Sequence, residues 1–195
     1  MNAPATSLNA TSALSAAQHK AQLWADASLE VFAVVMGTRI PDLPGVLAGA
    51  SERRELHDYD CLIPGALSRN EAQHAPYLVQ LVPDSPFTDW LLFEAPASLA
   101  EWGLLAKSAA RLTVLRNHLR NQREARLPTG ETLVLDWMDP EIFAALVAHA
   151  DVAQLTGFFG PVKQFSVAGA TGLRHALLEF GGLRQAHVPI LKAAA

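Results

Sequence analysis

Four side chains that can bind a metal ion lie close together in one segment of the sequence, which contains His57, Asp58, Asp60 and Cys61. A metal site needs three or four converging ligands, so this segment would have to combine with a distant histidine such as His74 or His118. A polar loop that leads into a strand is the simpler interpretation, and it is the one we favour. A small metal-dependent or hydrolytic enzyme is kept as the alternative function.

A second group of chemically active residues is basic and lies in a segment with helical periodicity, residues 109–126. Leucines form the apolar face of this predicted helix, at Leu112, Leu115 and Leu119. Arginines share another face, at Arg116, Arg120 and Arg123, and these three are the candidate partner-binding residues. The simpler interpretation is a solvated helix face, and the acidic remainder of the chain also favours internal salt bridges to it.

The remaining motifs indicate structure rather than chemistry. The pair Asp139-Pro140 is typical of a helix N-cap followed by a proline in the first turn, and the cap contributes about 1 kcal/mol. His149 lies where it would interact favourably with a helix C-terminus. The sequence has no Gly-x-Ser-x-Gly elbow, phosphate loop or Rossmann glycine fingerprint. No catalytic, cofactor-binding or metal-binding residue is therefore predicted.

The composition excludes several classes of protein. Of the 195 residues, 50% are hydrophobic and only 17% are charged, which excludes a disordered chain. The formal net charge of -4 gives no reason to expect nucleic acid or an anionic membrane as a partner. A single cysteine, Cys61, and the lack of a secretory signal pattern favour a reducing compartment. We expect a soluble, cytoplasmic protein.

Strand-like and helix-like segments alternate along the chain, which predicts an α/β domain with a mixed sheet of about five strands flanked by helices. The predicted strands are 29–37, 59–63, 76–83, 102–107 and 132–138. Helices are predicted over 12–28 and 109–126, and after the capping residues Asp42, Ser85, Asp139 and Asp151.

Three regions are expected along the chain. Residues 1–11 are predicted to be a flexible leader, and 12–162 to form one compact domain. Residues 163–195 carry four basic residues against one acidic residue. They are predicted to form a short, mildly basic, helical appendage.

Six segments in this order resemble one family, the domain of unknown function 4123, which comprises adaptor chaperones of bacterial type VI secretion. The resemblance covers roughly residues 29–162. The segments are FAVVMGTRIPDL (32–43), PYLVQLVPDSPFTDWLL (76–92), WGLLAKS (102–108), NHLRNQREARLPTGETL (117–133), LDWMDPEIF (135–143) and FFGPV (158–162).

This resemblance implies a role without catalysis. Such adaptors bind a toxic effector in the cytoplasm of the producing cell and help load it onto the spike protein at the tip of the secretion tube. The implied partners are therefore the effector and the spike protein, with neither nucleic acid nor membrane. A stable scaffold with an exposed apolar patch or groove, and an affinity that permits release, would suit this task.

Two positions depart from the family pattern. The family usually has an acidic residue at the exit of the first strand, where this chain has Met36. It usually has a basic residue three positions before the Asp-Pro pair, where this chain has Asp136. If these two family residues form an ion pair with each other, this chain has lost both members of that pair together.

Overall fold

The structure is a computed structural model that describes residues 13–99, 101–126, 129–179 and 182–191. The leader predicted at 1–11 lies outside these residues. The α/β class is confirmed, since helices cover both faces of one large sheet. In the part of the chain that is described, no helix is long and apolar enough to cross a bilayer.

The first strand, β1 (Glu30–Met36), is an interior strand of the sheet and is buried except at its first residue. Side chains alternate along a strand, so successive residues of β1 enter different cores. Val31, Ala33 and Val35 face one apolar core, called the first core, and Phe32 and Val34 face the apolar core on the opposite side of the sheet, called the second core. This burial on both faces explains why the segment reads as a continuous apolar run.

The sheet has seven strands in the order β2-β3-β1-β4-β7-β8-β9, rather than the predicted five. All six pairings between these strands are antiparallel, so the prediction of a mixed sheet is wrong. The other strands are β2 (Leu56–Cys61), β3 (Pro76–Leu81), β4 (Gly103–Ser108), β7 (Val162–Gly169), β8 (Gly172–Glu179) and β9 (Gly182–Pro189).

The prediction of a helical appendage at 163–195 is wrong. Strands β7, β8 and β9 form one side of the main sheet, and β7 pairs directly with β4. Alanine and leucine, which are frequent in this segment, are good helix formers, so composition alone does not distinguish a helix from these strands. Glycines mark the turns instead: Gly169 is paired with Gly172, and Gly172 has a φ of 144°.

The helices are α1 (Ala16–Leu23), α2 (Leu43–Glu52), α3 (Arg69–His74), α4 (Pro86–Asp89), α5 (Ala95–Ser98), α6 (Leu112–Asn121), α7 (Pro140–His149) and α8 (Val152–Phe159). A short π-helix, Trp90–Glu94, connects α4 to α5. Leucines of α1, α2 and the π-helix enter the first core, whereas α6, α7 and α8 cover the second. The helix predicted over 12–28 is shorter in the structure, because α1 covers only Ala16–Leu23. The side chain of Trp137 is wholly buried in the second core.

Most of the predicted caps are confirmed. The side chains of Ser85 and Asp139 accept hydrogen bonds from backbone amides of the first turn, and Asp151 forms a capping box with Gln154. The prediction for Asp42 is wrong, because its side chain makes no capping hydrogen bond. Its backbone is left-handed, with φ 49° and ψ 40°, which differs from the extended geometry of a capping residue.

The predicted helix 109–126 and strand 132–138 are both shorter than expected. Helix α6 ends at Asn121, and Glu124–Arg126 (β5) pairs with Thr132–Val134 (β6) in a separate two-stranded sheet. All three residues of β6 are exposed. This β5–β6 hairpin therefore stands beside the C-terminal end of α6.

Candidate functional site

The segment that contains His57, Asp58, Asp60 and Cys61 forms β2, an edge strand of the main sheet. The polar loop predicted for the start of this segment is instead part of the strand, which begins at Leu56 rather than at residue 59. An oxygen of Asp58 accepts the backbone N–H of Tyr59 at 2.8 Å. The carboxylate of Asp60 is held by arginines of α6.

The two distant histidines do not join this segment. The ring of His74 hydrogen-bonds the carbonyl oxygen of Asn70 at 2.8 Å, and His118 Nε2 donates to the carbonyl oxygen of Phe158 at 2.8 Å. Within the described ranges, no group of three or more His, Cys, Asp or Glu side chains is arranged to hold a metal ion. The geometry therefore gives the predicted combination of ligands no common centre.

Arg116 and Arg120 turn toward β2 rather than toward open solvent. Each side chain is only 23% exposed. Arg116 pairs with the carboxylate of Asp60, and Arg120 Nη2 lies 3.8 Å from the same carboxylate. Arg120 Nη2 also donates to the carbonyl oxygen of Cys61 at 2.5 Å. The expected internal salt bridges are confirmed for these two arginines.

Arg123 lies just beyond the end of α6 and is placed differently. Among the described residues, its guanidinium has no salt-bridge or hydrogen-bond partner. The Nε atoms of Arg120 and Arg123 are both enclosed, and neither has an acceptor in the part of the chain that the structure describes. An enclosed donor without an acceptor is costly, typically about 1–3 kcal/mol. Arg123 is therefore the least satisfied of the three predicted arginines.

Arg120 and Arg123 line a cleft of about 640 Å³ between the end of α6, the β5–β6 hairpin and the loop after β2. The lining residues are Leu62, Pro64, Arg120, Asn121, Arg123, Glu124, Thr132 and Val134. On the hairpin, Val134 lines the cleft and is 70% exposed, whereas Leu133, which is 51% exposed, is not part of the lining. The cleft thus combines guanidinium groups with exposed aliphatic surface. Only its arginines were predicted, since the hairpin lies within segments predicted as helix and strand.

The single cysteine lies beside this cleft but is not activated. Burial raises the pKa of the Cys61 thiol, and the charges of Arg120 and Arg123 offset that effect only in part. The sulfur accepts the backbone N–H of Ile63 at 3.3 Å. The thiol is therefore protonated near neutral pH, and Cys61 has a structural role in this arrangement.

A second polar cluster was not predicted from the sequence. The Ser166 hydroxyl lies 2.7 Å from His175 Nδ1, and Gln164 Nε2 lies 2.9 Å from that hydroxyl and 2.8 Å from His175 Nδ1. The antiparallel register of β7 and β8 places Ser166 opposite His175. A serine bonded to a histidine is the arrangement of a nucleophile and its base. Ser166 is only 1% exposed, however, so its hydroxyl is a buried member of a hydrogen-bonded network.

The imidazole of His175 is held neutral by its surroundings. Burial, followed by the proximity of three basic groups, His19, Lys107 and His187, lowers the pKa of His175 to about 4. Burial also lowers the pKa of His19, whose Nε2 lies 3.2 Å from the carbonyl oxygen of Pro189. His19 belongs to α1 and lines the same small pocket as His175. This pocket therefore joins α1 to the sheet through uncharged imidazoles.

This arrangement predicts that acid destabilises the fold. The unfolded chain binds a proton at His175 near pH 6.5, whereas the folded chain does so near pH 4. The free energy of unfolding should therefore fall as the pH is lowered through this interval, by up to about 3 kcal/mol. Urea titrations from pH 7.5 to pH 4 measure it. In His175→Asn this fall in the free energy of unfolding should be smaller than in the wild-type chain, whereas the exposed control His57→Asn should show the wild-type fall. If His175→Asn also shows the wild-type fall, another group is responsible for it.

Asp139, which follows β6, forms a salt bridge with Arg39 in the loop after β1. Asp139 caps α7 and also accepts a hydrogen bond from Arg39 Nη2 at 2.8 Å. Burial alone would raise the pKa of Asp139, but Arg39 and the amides of the first turn hold it below its usual range. Met36, at the first departure from the family pattern, is 6% exposed. At the second departure, the carbonyl oxygen of Asp136 accepts the N–H of Asp139.

Comparison with protein-family models identifies the family of this chain. A family model described as Domain of unknown function (DUF4123) matches residues 31–157, well over half of the chain. No curated protein and no solved structure matches the chain. The matched region includes β1 to β6 and α2 to α7, with the arginine-lined cleft, whereas β7, β8 and β9 follow it. The chain therefore belongs to the DUF4123 family, as its ordered sequence segments indicated.

Proposed function

We propose that this protein is an adaptor chaperone that binds an effector of a type VI secretion system and helps load it onto the spike protein. The observation that carries the proposal is membership of the DUF4123 family, over a region that holds five of the six resembling segments. We place the protein in the cytoplasm of the producing bacterium, with the effector and the spike protein as its partners. Neither nucleic acid nor a membrane is a partner in this proposal.

The β5–β6 hairpin supports this proposal physically. A two-stranded hairpin is marginally stable alone, so contact with a partner would stabilise it. Side chains alternate along a strand, so exposed Val134 faces the charged cleft while exposed Leu133 lies on the other face of the hairpin. An adaptor must also release its cargo, and a small mixed surface suits a moderate affinity better than a large apolar one does.

Co-expression tests this function. The effector encoded beside this gene should give a higher soluble yield when it is produced with the adaptor than when it is produced alone, because the adaptor covers effector surface that would otherwise aggregate. The yield is measured by densitometry of the soluble and insoluble fractions. An unrelated protein of similar size, expressed from the same plasmid, serves as the control. Equal soluble yields with and without the adaptor would contradict the proposal.

A further inference from the structure

We propose that the arginine-lined cleft binds an acidic peptide segment of the effector, in which a carboxylate side chain is followed by an aliphatic side chain. The carboxylate would lie against Arg120 and Arg123, and the aliphatic group would contact Val134. This inference rests on the proposed function, because it takes the effector as the partner. It adds the chemistry by which the partner is recognised.

The charges at the cleft leave one guanidinium unmatched. Asp60 serves both Arg116 and Arg120, so its single carboxylate is shared by two cations. Arg123 has no salt bridge in the part of the chain that the structure describes. Glu124 lies at the rim of the cleft and is exposed. A basic site therefore lies within a chain whose formal net charge is -4.

The hydrogen-bond donors at the cleft fit a carboxylate. The Nε–H groups of Arg120 and Arg123 are shielded from water and have no acceptor among the described residues. A guanidinium presents its donors in a planar fork that matches the two oxygens of a carboxylate. Both Nε atoms are closed to a ligand in this conformation, so a carboxylate would pair with the Nη groups of Arg123, and Arg120 would add a second positive charge beside it.

The other wall of the cleft carries exposed aliphatic surface beside polar groups. Val134 lies on the side of the hairpin, with 70% of its surface exposed, near Thr132 and Glu124, and exposed Pro64 lies on the side of β2, whereas Leu62 is fully buried. Covering Val134 would remove aliphatic surface from water next to the charged pair. The ligand that satisfies both walls is therefore a peptide with adjacent acidic and aliphatic side chains.

Phosphate groups fit the site less well than this peptide. Asp60 and Glu124 contribute two carboxylates at or beside the cleft, and the chain as a whole is acidic. A nucleic acid needs a broad basic surface that neutralises several phosphates. A peptide carboxylate needs only the local excess of positive charge at Arg123.

Fluorescence anisotropy with labelled peptides tests the inference. The probe is a peptide of alternating glutamate and leucine, and the matched probe replaces every glutamate by glutamine. The first should bind at least about tenfold more tightly, and Arg123→Gln should remove that preference. The control Arg184→Gln changes the same charge on β9, at the opposite edge of the sheet. Three results would overturn the inference. The wild-type chain could bind both peptides equally, Arg123→Gln could bind the glutamate peptide as tightly as the wild-type chain does, or the wild-type chain could bind a single-stranded oligonucleotide more tightly than the glutamate peptide.

Co-purification with the effector separates this inference from the proposed function. Arg123→Gln and Val134→Asp should each reduce the recovered effector at least about fivefold, while Val152→Asp, at another exposed valine, should not. Melting temperatures identify any variant that is unfolded, and the milder Val134→Ser then replaces Val134→Asp. If the wild-type chain captures the effector and folded Arg123→Gln does so equally, the inference fails and the proposed function stands. If the wild-type chain captures no effector, the proposed function fails, and with it the inference.

Discussion

Replacement of Trp137 by alanine should lower the free energy of unfolding by about 3–5 kcal/mol, because it removes a large, fully buried side chain from the second core. The indole packs edge-to-face against Phe158 and Phe165, with ring centroids 5.0 Å and 5.9 Å away. Such pairs add to the stability given by burial alone. Those rings belong to α8 and β7, so the loss would loosen the helix layer from the sheet. Urea unfolding monitored by far-UV circular dichroism measures the change.

Trp137→Phe and Leu133→Ala provide the matched controls. The indole Nε1 is buried and has no hydrogen-bond partner among the described residues, so phenylalanine removes an unsatisfied donor while it keeps most of the aromatic volume. This variant should lose less than half as much stability as Trp137→Ala. Leu133 is 51% exposed on the β5–β6 hairpin, and its truncation should change stability by no more than about 0.5 kcal/mol. Similar losses in all three variants would contradict the assignment of the core.

Gly103→Ala should be nearly as damaging, at about 3–5 kcal/mol, although it adds only one methyl group. Gly103 begins β4 with a φ of 150°, a conformation that residues with a Cβ rarely adopt. A Cβ at this position would lie 2.0 Å from the carbonyl oxygen of Val34 on the neighbouring strand β1. Both strands lie in the middle of the sheet, where the backbone has little room to shift. Thermal unfolding of the purified variant measures the loss.

Gly65→Ala separates the steric overlap from the backbone conformation. Gly65 also has a positive φ, of 93°, but a Cβ there would meet no atom within 4 Å. This variant should therefore lose only the cost of the left-handed conformation, about 1–2 kcal/mol. If the two variants lose equal stability, the close approach of β4 to Val34 does not limit residue 103.

The local parts of the fold could be predicted from the sequence because their signals are local. The apolar run of β1, and the capping residues Ser85, Asp139 and Asp151, depend on neighbours within a few positions, and the structure has them as expected. The C-terminal strands could not be identified in this way. Their alanine and leucine content suits a helix, and only pairing with β4 and with each other makes them strands.

The candidate site shows the same division. Helical periodicity placed Arg116 and Arg120 on one face, and the acidity of the chain favoured their salt bridges. The sequence did not reveal that Asp60, fifty-six residues from Arg116, would be the partner, because that contact depends on how α6 crosses β2. Nor did it separate Arg123 from the other two, since the helix ends before that residue. The network of Ser166 and His175 likewise depends on strand register.

Charge reversal at all three arginines is therefore a poor test of binding. A glutamate at position 116 or 120 would face the carboxylate of Asp60 and destabilise the fold itself. Arg123, which has no such partner among the described residues, can be changed with less effect on folding. Variants at this position distinguish lost binding from lost structure.

The most direct measurement of the central claim is the mass of the species recovered when the tagged adaptor is purified from cells that also produce the neighbouring effector. Size-exclusion chromatography with light scattering should show one peak that contains both chains in a fixed ratio. The same peak should be absent when the effector is replaced by an effector encoded beside a different family member. Elution of the adaptor alone, at the mass it has without the effector, would contradict the claim that this protein is an effector adaptor.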